Sequence, residues 1–227
     1  MASRRPVLPD LVTRYRQIAP GTLGHLVDQG VLDPAIRPLY RGISFVGPAR
    51  TLALPPGDTS LTRPAIDGLR PGDVLVIDQG GDQRACWGEM TSLAAQAKGC
   101  AAVIIDGAVT DSQAITEHKM PTYARWITPL VGRRLDLGGE LDSPIRCGGA
   151  LVRPGDLVVG DDDGVVFLSL EQAVALYERA SAAQDREPAV KRWLRAGGSL
   201  AEVTGLDSAA IEALLAEREQ AGHMRKE

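Results

Sequence analysis

The sequence predicts an α/β fold with helical extensions at both ends. Three observations carry that prediction. Val74–Ile77 and Ala102–Ile105 are apolar, strand-like runs, and each leads into a glycine-rich turn that carries an acid and opens a helix-like segment. A repeated strand–loop–helix implies two neighbouring parallel strands. Asp163-Gly164, between Leu157–Gly160 and Val165–Leu168, is the strongest hairpin signal in the chain, since a tight two-residue turn favours positive φ.

The remaining elements follow in order. Residues Leu8 to Gly30 read as two short helices broken at Pro20-Gly21, and Gly42 to Leu54 as strands separated by a Gly-Pro turn. Leu61 to Leu69 reads as a helix crossing to the first parallel strand. Pro71-Gly72-Asp73 and Pro154-Gly155-Asp156 each precede a strand, which suggests one turn geometry used twice rather than a true repeat. Asp161-Asp162-Asp163 reads as a solvated hairpin turn, because a calcium loop would need regular acid spacing over about twelve positions. Leu170 to about Ala196 reads as one long helix, interrupted at Pro188 and ended by Gly197-Gly198. Ser199 and Asp207 are good N-caps for two further short helices. The expected organisation is one α/β domain over 1–198 and a helical tail over 199–227. That tail has too few bulky apolar positions for a core of its own and should pack on the domain or on a neighbouring subunit.

The 227 residues suffice for a sizeable core without disulfides or a structural metal. A net charge of −4, with no basic run beside aromatics on a helix face, argues against a nucleic-acid-binding surface. Cys86, Cys100 and Cys147 lack the spacing of a zinc or redox motif and suit a reducing, cytoplasmic setting. The opening MASRRPVLPDLV has two arginines but no apolar stretch, so no signal peptide is expected. No run approaches the ~20 apolar residues needed to span a bilayer.

The candidate site follows from the two parallel units. In such sheets ligands gather beyond the carboxyl ends of the strands, so Glu89 and Asp111 are expected at one edge. Gly88, Glu89 and Met90 lie where a loop becomes a helix, and the free N–H groups and positive dipole end there suit a substrate carboxylate. Glu89 reads equally well as a plain helix-stabilising acid. Asp111 reads either as the N-cap of the next helix or as a hard oxygen ligand for a divalent ion. Cys86 has no histidine near it in sequence and reads as core filler rather than a nucleophile. His25, His118 and His223 form no spaced ligand set and read as surface or packing residues.

Taken together, GDVLVID, GGDQRACWGE, AAVIIDGAVTD and GDLVVGDDDGVV resemble the family of the RNase E regulator RraA, over roughly Pro20 to Gly198. That family includes the class II 4-hydroxy-4-methyl-2-oxoglutarate/4-carboxy-4-hydroxy-2-oxoadipate aldolases. The resemblance implies an RraA-like β/β/α swivelling-domain fold, assembled as a homotrimer or homohexamer. It also implies a divalent cation, usually Mg²⁺ with Mn²⁺ the alternative, in a cleft between subunits. The aldolase signature is an acid, twenty intervening residues, then Arg-Asp. Glu89 occupies the acid position and Asp111 the metal-binding position, while Thr110 stands where the arginine belongs. Ala114 replaces a further acid common in the family, Trp126 follows Arg125 where a small residue is usual, and His25 lies near a position often filled by Asp. Glu187 matches a carboxylate that a neighbouring subunit contributes to the metal's water shell.

These features imply a metal-dependent lyase that cleaves a C–C bond of a small oxo-acid, by retro-aldol reaction or β-keto-acid decarboxylation. Asp111 would hold the metal. Glu89, with Glu187 from another chain, would orient or deprotonate a water, and Gly88–Met90 would take the carboxylate. A threonine hydroxyl is a short neutral donor and does not replace a charged guanidinium fork. Losing such a donor costs roughly 2–4 kcal/mol at the transition state, or two to three decades of rate. Arg84 and Arg125 are the candidates to fill the gap. Two other readings remain open: a diverged enzyme with a different, for instance biosynthetic, substrate, and a non-catalytic RraA-like regulator that binds a protein partner.

Overall fold

The structure, a computed structural model of the chain, describes residues 9–224. The first eight residues, on which part of the signal-peptide expectation rests, and the side chain of His223 lie outside the described residues. The chain divides into two units, one ending at Ala175 and the other beginning at Leu176.

The first unit opens with helices α1 (Pro9–Tyr15) and α2 (Pro20–Gly24), then strands β1 (Arg37–Pro38) and β2 (Ser44–Ala53). Next come α3 (Thr62–Asp67), β3 (Val74–Asp78), β4 (Ala85–Trp87), α4 (Glu89–Ala97), β5 (Ala102–Val109), α5 (Ser112–Glu117) and β6 (Thr122–Ile127). Strands β7 (Glu140–Leu141), β8 (Ile145–Cys147), β9 (Ala150–Val152), β10 (Leu157–Asp161) and β11 (Gly164–Leu168) follow. The main sheet runs β1-β6-β5-β3-β2-β10-β11, with β4 also paired to β5 and β7 to β2. Strands β2, β3, β5 and β6 are parallel, and β3 pairs with β5 from Val74↔Ala102 to Asp78↔Asp106.

Alternation along these strands builds three layers. Leu75, Ile77, Val103 and Ile105 face Ala65 and Ile66 of α3, Ala95 of α4 and Ile115 of α5. Val74, Val76, Ala102 and Ile104 face a second layer of strands through Ile145, Val152, Val158 and Val165. Burial on both faces explains why the parallel strands read as continuous apolar runs. Each such Val, Leu or Ile side chain contributes about 1.5–3 kcal/mol on burial. The sheet also curls. Phe45 of β2 and Tyr123 of β6 meet edge to face with ring centroids 5.9 Å apart, although β5 and β3 lie between their strands. Helices on one face and strands on the other make the expected β/β/α arrangement.

Three local expectations change. Gly42 to Leu54 does not break at Gly47-Pro48, because β2 runs straight through. Pro48 is tolerated because the N–H of the next residue, Ala49, already points to Asp156 on the β10 side. The proline nitrogen therefore faces the β3 side, where pairing begins only at Ala49↔Val74. Gly47 is needed for space, since a Cβ there would sit 2.1 Å from the Gly72 carbonyl oxygen. The hairpin is present, but its turn is Asp162-Asp163 and Gly164 already belongs to β11. Asp162 accepts N–H bonds from Gly42 and Ile43, which hold its carboxyl below the usual range.

The two Pro-Gly-Asp turns share one geometry. Gly72 and Gly155 both have φ of 87°, and Asp73 and Asp156 each accept the N–H of the arginine three residues earlier, at 2.9 and 2.8 Å.

Helix α6 (Leu170–Arg195) continues through Pro188, whose fixed φ is helical and whose missing N–H removes one bond without forcing a break. Gly197, at φ 82°, follows its end. In the second unit Ser199 precedes only a 3₁₀ turn, Ala201–Val203, whereas Asp207 caps the 17-residue α7 (Ser208–Met224). Val203, Ile211 and Leu215 form an apolar cluster with Ala189 and Trp193 of α6. Arg218 covers the Trp193 ring at 5.2 Å. Among the described residues no helix is long and apolar enough to cross a membrane.

Candidate active site

A short strand invisible to sequence reading assembles the site. Ala85–Trp87 looked like part of a glycine-rich turn, yet β4 pairs with the end of β5, Ala85 with Ala108 and Trp87 with Val109. The Thr110 N–H bonds to the Trp87 carbonyl at 2.9 Å, which sets Gly88 beside Thr110 and Asp111. Buried Gln79 braces this end of β5 by accepting the Ala108 N–H and donating to the Arg84 carbonyl. Trp87, fully buried, donates its indole N–H to Ser92, whose hydroxyl bonds back to Gly88 O at 2.9 Å. The first turn of α4 is thereby fixed.

Asp111 occupies the N-cap position of α5 but makes no side-chain bond to its own helix. Its backbone is left-handed, φ 53°, a conformation Asp tolerates better than most side chains. The carboxylate instead turns to α4 and accepts the Glu89 N–H at 3.1 Å. Its other oxygen has a long contact, 3.3 Å, from the Thr110 hydroxyl. The extended backbone of Gly88 suits any residue, but a Cβ there would lie 2.6 Å from Asp111 Oδ2 and 2.9 Å from Thr110 Cγ2. Glycine is required by the close approach of the two loops.

Glu89 points its carboxylate to His118, with Oε1 2.9 Å from Nε2. His118 ends α5, and Gln96 of α4 holds its carbonyl at 2.7 Å. Sequence reading missed this partner because the pair is 29 residues apart and only the packing of α4 against α5 joins it.

These groups line a cavity of about 230 Å³. One wall carries Gly88, Glu89, Met90, Thr110 and Asp111, and another carries Thr59, Thr62 and Arg63 from the loop and helix after β2. Cys86 also lines it, but burial pushes its thiol up to about 12, as suits core filler. The volume falls below the ~300–1,000 Å³ of drug-sized sites and suits a ligand of few atoms. The other predicted site residues lie outside this wall. Arg84 pairs with Asp82 and lines a neighbouring cavity with Arg133. Arg125 is held by Asp106 and Asp33, each at 2.7 Å, with its guanidinium 5.7 Å from the Trp126 ring. Glu187, in the second unit, forms an i,i+4 pair with Lys191 at 2.7 Å.

The donors suit one class of metal. Among the described residues no three His, Cys, Asp or Glu side chains gather as a ligand set, so nothing resembles a closed zinc site. Asp111, with an oxygen held only by a long contact, fits Mg²⁺ or Mn²⁺, which take one or two protein carboxylates and keep several waters.

Comparison with known proteins places this geometry. The Aldolase/RraA family model matches residues 22–167. A Halalkalibacterium halodurans protein named "Putative 4-hydroxy-4-methyl-2-oxoglutarate aldolase" is 34% identical over 185 residues, 81% of this chain and 88% of its own. A Paraburkholderia phytofirmans protein of the same name is 36% identical over 67% of this chain and 89% of its own. Streptomyces coelicolor RraAS2, described as an unusual member of the RNase ES inhibitor RraA protein family, superposes with a TM-score of 0.72 at 30% identity, covering 84% of this chain and 98% of that one. An uncharacterised Pseudomonas syringae protein shares the fold, with a TM-score of 0.76 at 23% identity over 90% of this chain and 97% of its own. With most of its length matched by the family and by relatives above 30% identity, the chain belongs to the Aldolase/RraA family.

Proposed function

We propose that this chain is a metal-dependent lyase that cleaves a C–C bond of a small oxo-acid, by retro-aldol cleavage or β-keto-acid decarboxylation. The observation that carries the reading is the Asp111 carboxylate on the Glu89 backbone N–H at the first turn of α4, with both residues lining one cavity of few-atom size. Names on the relatives add a 2-oxo-acid substrate to this family-level picture.

The residues divide the work. At the N-terminus of α4 the Gly88 N–H is taken by Thr91 and the Glu89 N–H by Asp111, so the Met90 N–H, at the positive end of the dipole, is the group that holds a substrate carboxylate. Glu89, oriented by His118, accepts the proton of the substrate alcohol, directly or through water. The alkoxide closes to a C=O as the C–C bond breaks, that bond's electrons pass to the 2-oxo group as an enolate, and protonation of the enolate carbon releases pyruvate beside the newly formed oxo product. A divalent ion held by Asp111 would supply Lewis-acid stabilisation of the enolate charge. The Thr110 hydroxyl stays beside Asp111 as a weak neutral donor.

We place the enzyme in the cytoplasm as a homotrimer or homohexamer. Three free, buried cysteines support a reducing compartment. Exposed Ile127, Leu130, Val131, Leu135 and Leu137 form an apolar stretch that supports burial between subunits, where Glu187 of a neighbour would complete the site. A second reading, a regulator that binds a protein partner, is favoured by Thr110 in place of arginine and by likeness to a member of the RNase ES inhibitor RraA protein family.

Pyruvate release from 4-hydroxy-4-methyl-2-oxoglutarate and decarboxylation of oxaloacetate, each assayed with Mg²⁺, with Mn²⁺ and with chelator, test the reading. At least one activity should vanish with chelator and return with metal. Absence of both activities, with no metal-dependent binding of oxalate by calorimetry, leaves the regulator.

A further inference from the structure

We infer that Arg63 is the charge that receives a substrate carboxylate in this cavity and stands in for the guanidinium that Thr110 cannot provide. This rests on the oxo-acid reading and deepens it. Among the described residues lining the cavity Arg63 is the only Lys or Arg, and it faces a wall whose other ionisable groups include Glu89 and Asp111. A guanidinium there adds a fixed positive charge against the repulsion of the two carboxylates for an anionic substrate.

The other candidates have partners or lie elsewhere. Arg125 uses its guanidinium on Asp106 and Asp33, and Arg84 pairs with Asp82 away from this wall. Arg63 makes no side-chain hydrogen bond or ion pair among the described residues, although it is exposed beside acids. Its backbone is nevertheless fixed. Thr62, Ala65 and Ile66 of α3 are buried, and Arg50 donates to the Gly68 carbonyl at 2.7 Å to pin the helix end. An uncommitted guanidinium on an anchored helix is prepared for a ligand.

The topology makes the placement natural. Strand β2 is parallel to β3 and β5, so the segment after β2 emerges at the same sheet edge as Gly88 and Asp111. Three successive crossovers therefore deliver one cation and two acids to one cavity.

Calorimetric titration of the full chain tests this, with oxalate at saturating Mn²⁺ and with Mn²⁺ alone as control. Arg63→Gln should weaken oxalate by about 10–100-fold, the range of a charge-assisted hydrogen bond, and leave Mn²⁺ affinity within about twofold. Arg63→Lys should retain most of the affinity, and Thr110→Arg added to Arg63→Gln should restore it. An Arg63→Gln protein that binds oxalate as tightly as wild type overturns the assignment while the oxo-acid reading stands. Equal loss of Mn²⁺ binding also overturns it, since the residue would then serve the metal site. Failure of the wild-type chain to bind oxalate at all overturns both.

Discussion

Two groups of charged side chains stand near the carboxyl ends of the same parallel strands, and they use their hydrogen-bonding capacity differently. On the strand-covered face Arg125 bridges Asp106 and Asp33, the second Asp106 oxygen takes the Gly148 N–H at 2.7 Å, and the second Asp33 oxygen takes the Ala35 N–H at 2.9 Å. Both Asp106 and Asp33 oxygens are thus occupied. The Ala35 N–H and the Arg125 side chain hold the Asp33 carboxyl below its usual range, and Asp106 raises the arginine further. At the helix side Asp111 has contacts of 3.1 and 3.3 Å, Glu89 has one histidine partner, and Arg63 has none. The residue types match, so type alone does not mark a site. Open valence on a fixed backbone does.

The sharpest way to break this contrast is to remove Asp111. Asp111→Ala should lower kcat/KM by about 10³-fold, the scale of losing a main charge-stabilising group. The folding cost should stay near ~1 kcal/mol, from the lost bond to the Glu89 N–H and alanine in a left-handed conformation. Steady-state kinetics beside thermal unfolding separates the two, and full activity in the variant would remove Asp111 from the site. Gly88→Ala should come next, at about 10²-fold in kcat, because the added Cβ meets Asp111 and Thr110 and shifts a catalytic carboxylate by a fraction of its reach. A crystal structure of that variant should show Asp111 displaced.

Much of the fold was legible in the sequence, and the remainder was not for identifiable reasons. The runs Val74–Ile77 and Ala102–Ile105 announced adjoining parallel strands because burial on both faces leaves no polar interruption. The repeated strand–loop–helix units pointed to Glu89 and Asp111 at one sheet edge. Strand β4 escaped because three residues carry no period. Pro48 misled because its nitrogen faces an unpaired edge, a fact of three-dimensional pairing. His118 and Arg63 depend on helix packing. For Arg63 a usable signal did exist, since a helix crossing from one parallel strand to the next must start near the same edge as the other two.

A third substitution probes the satisfied group. Arg125→Met should lower the free energy of unfolding by about 2 kcal/mol, because Asp106, only 16% exposed, would lose its ion-pair partner. Its kcat/KM per folded molecule should stay within about twofold. A large rise in KM with unchanged stability would instead put Arg125 in contact with substrate and erase the distinction between the two groups.

The smallest effect appears only in acid. Asp58 is fully buried before α3 and accepts the N–H groups of Ser60, Leu135 and Leu137, at 2.8, 3.1 and 2.7 Å, and the Ser60 hydroxyl. Burial alone would raise its pKa, but these hydrogen bonds outweigh it and hold the carboxyl well below the usual range. A depressed folded value means the stabilisation is complete above the unfolded Asp value, about 3.9, and fades as pH falls toward the folded one. Asp58→Asn cannot ionise, so its stability deficit against wild type should be constant from pH 7 to about 5 and shrink below about 4. Urea unfolding at stepped pH reads this directly. A deficit unchanged down to pH 3 would mean that the clamp does not depend on charge. The clamp joins the loop ahead of Arg63 to the Leu135–Leu137 segment, so oxalate affinity should fall along with it. The satisfied carboxylate would then be what holds the unsatisfied guanidinium in place.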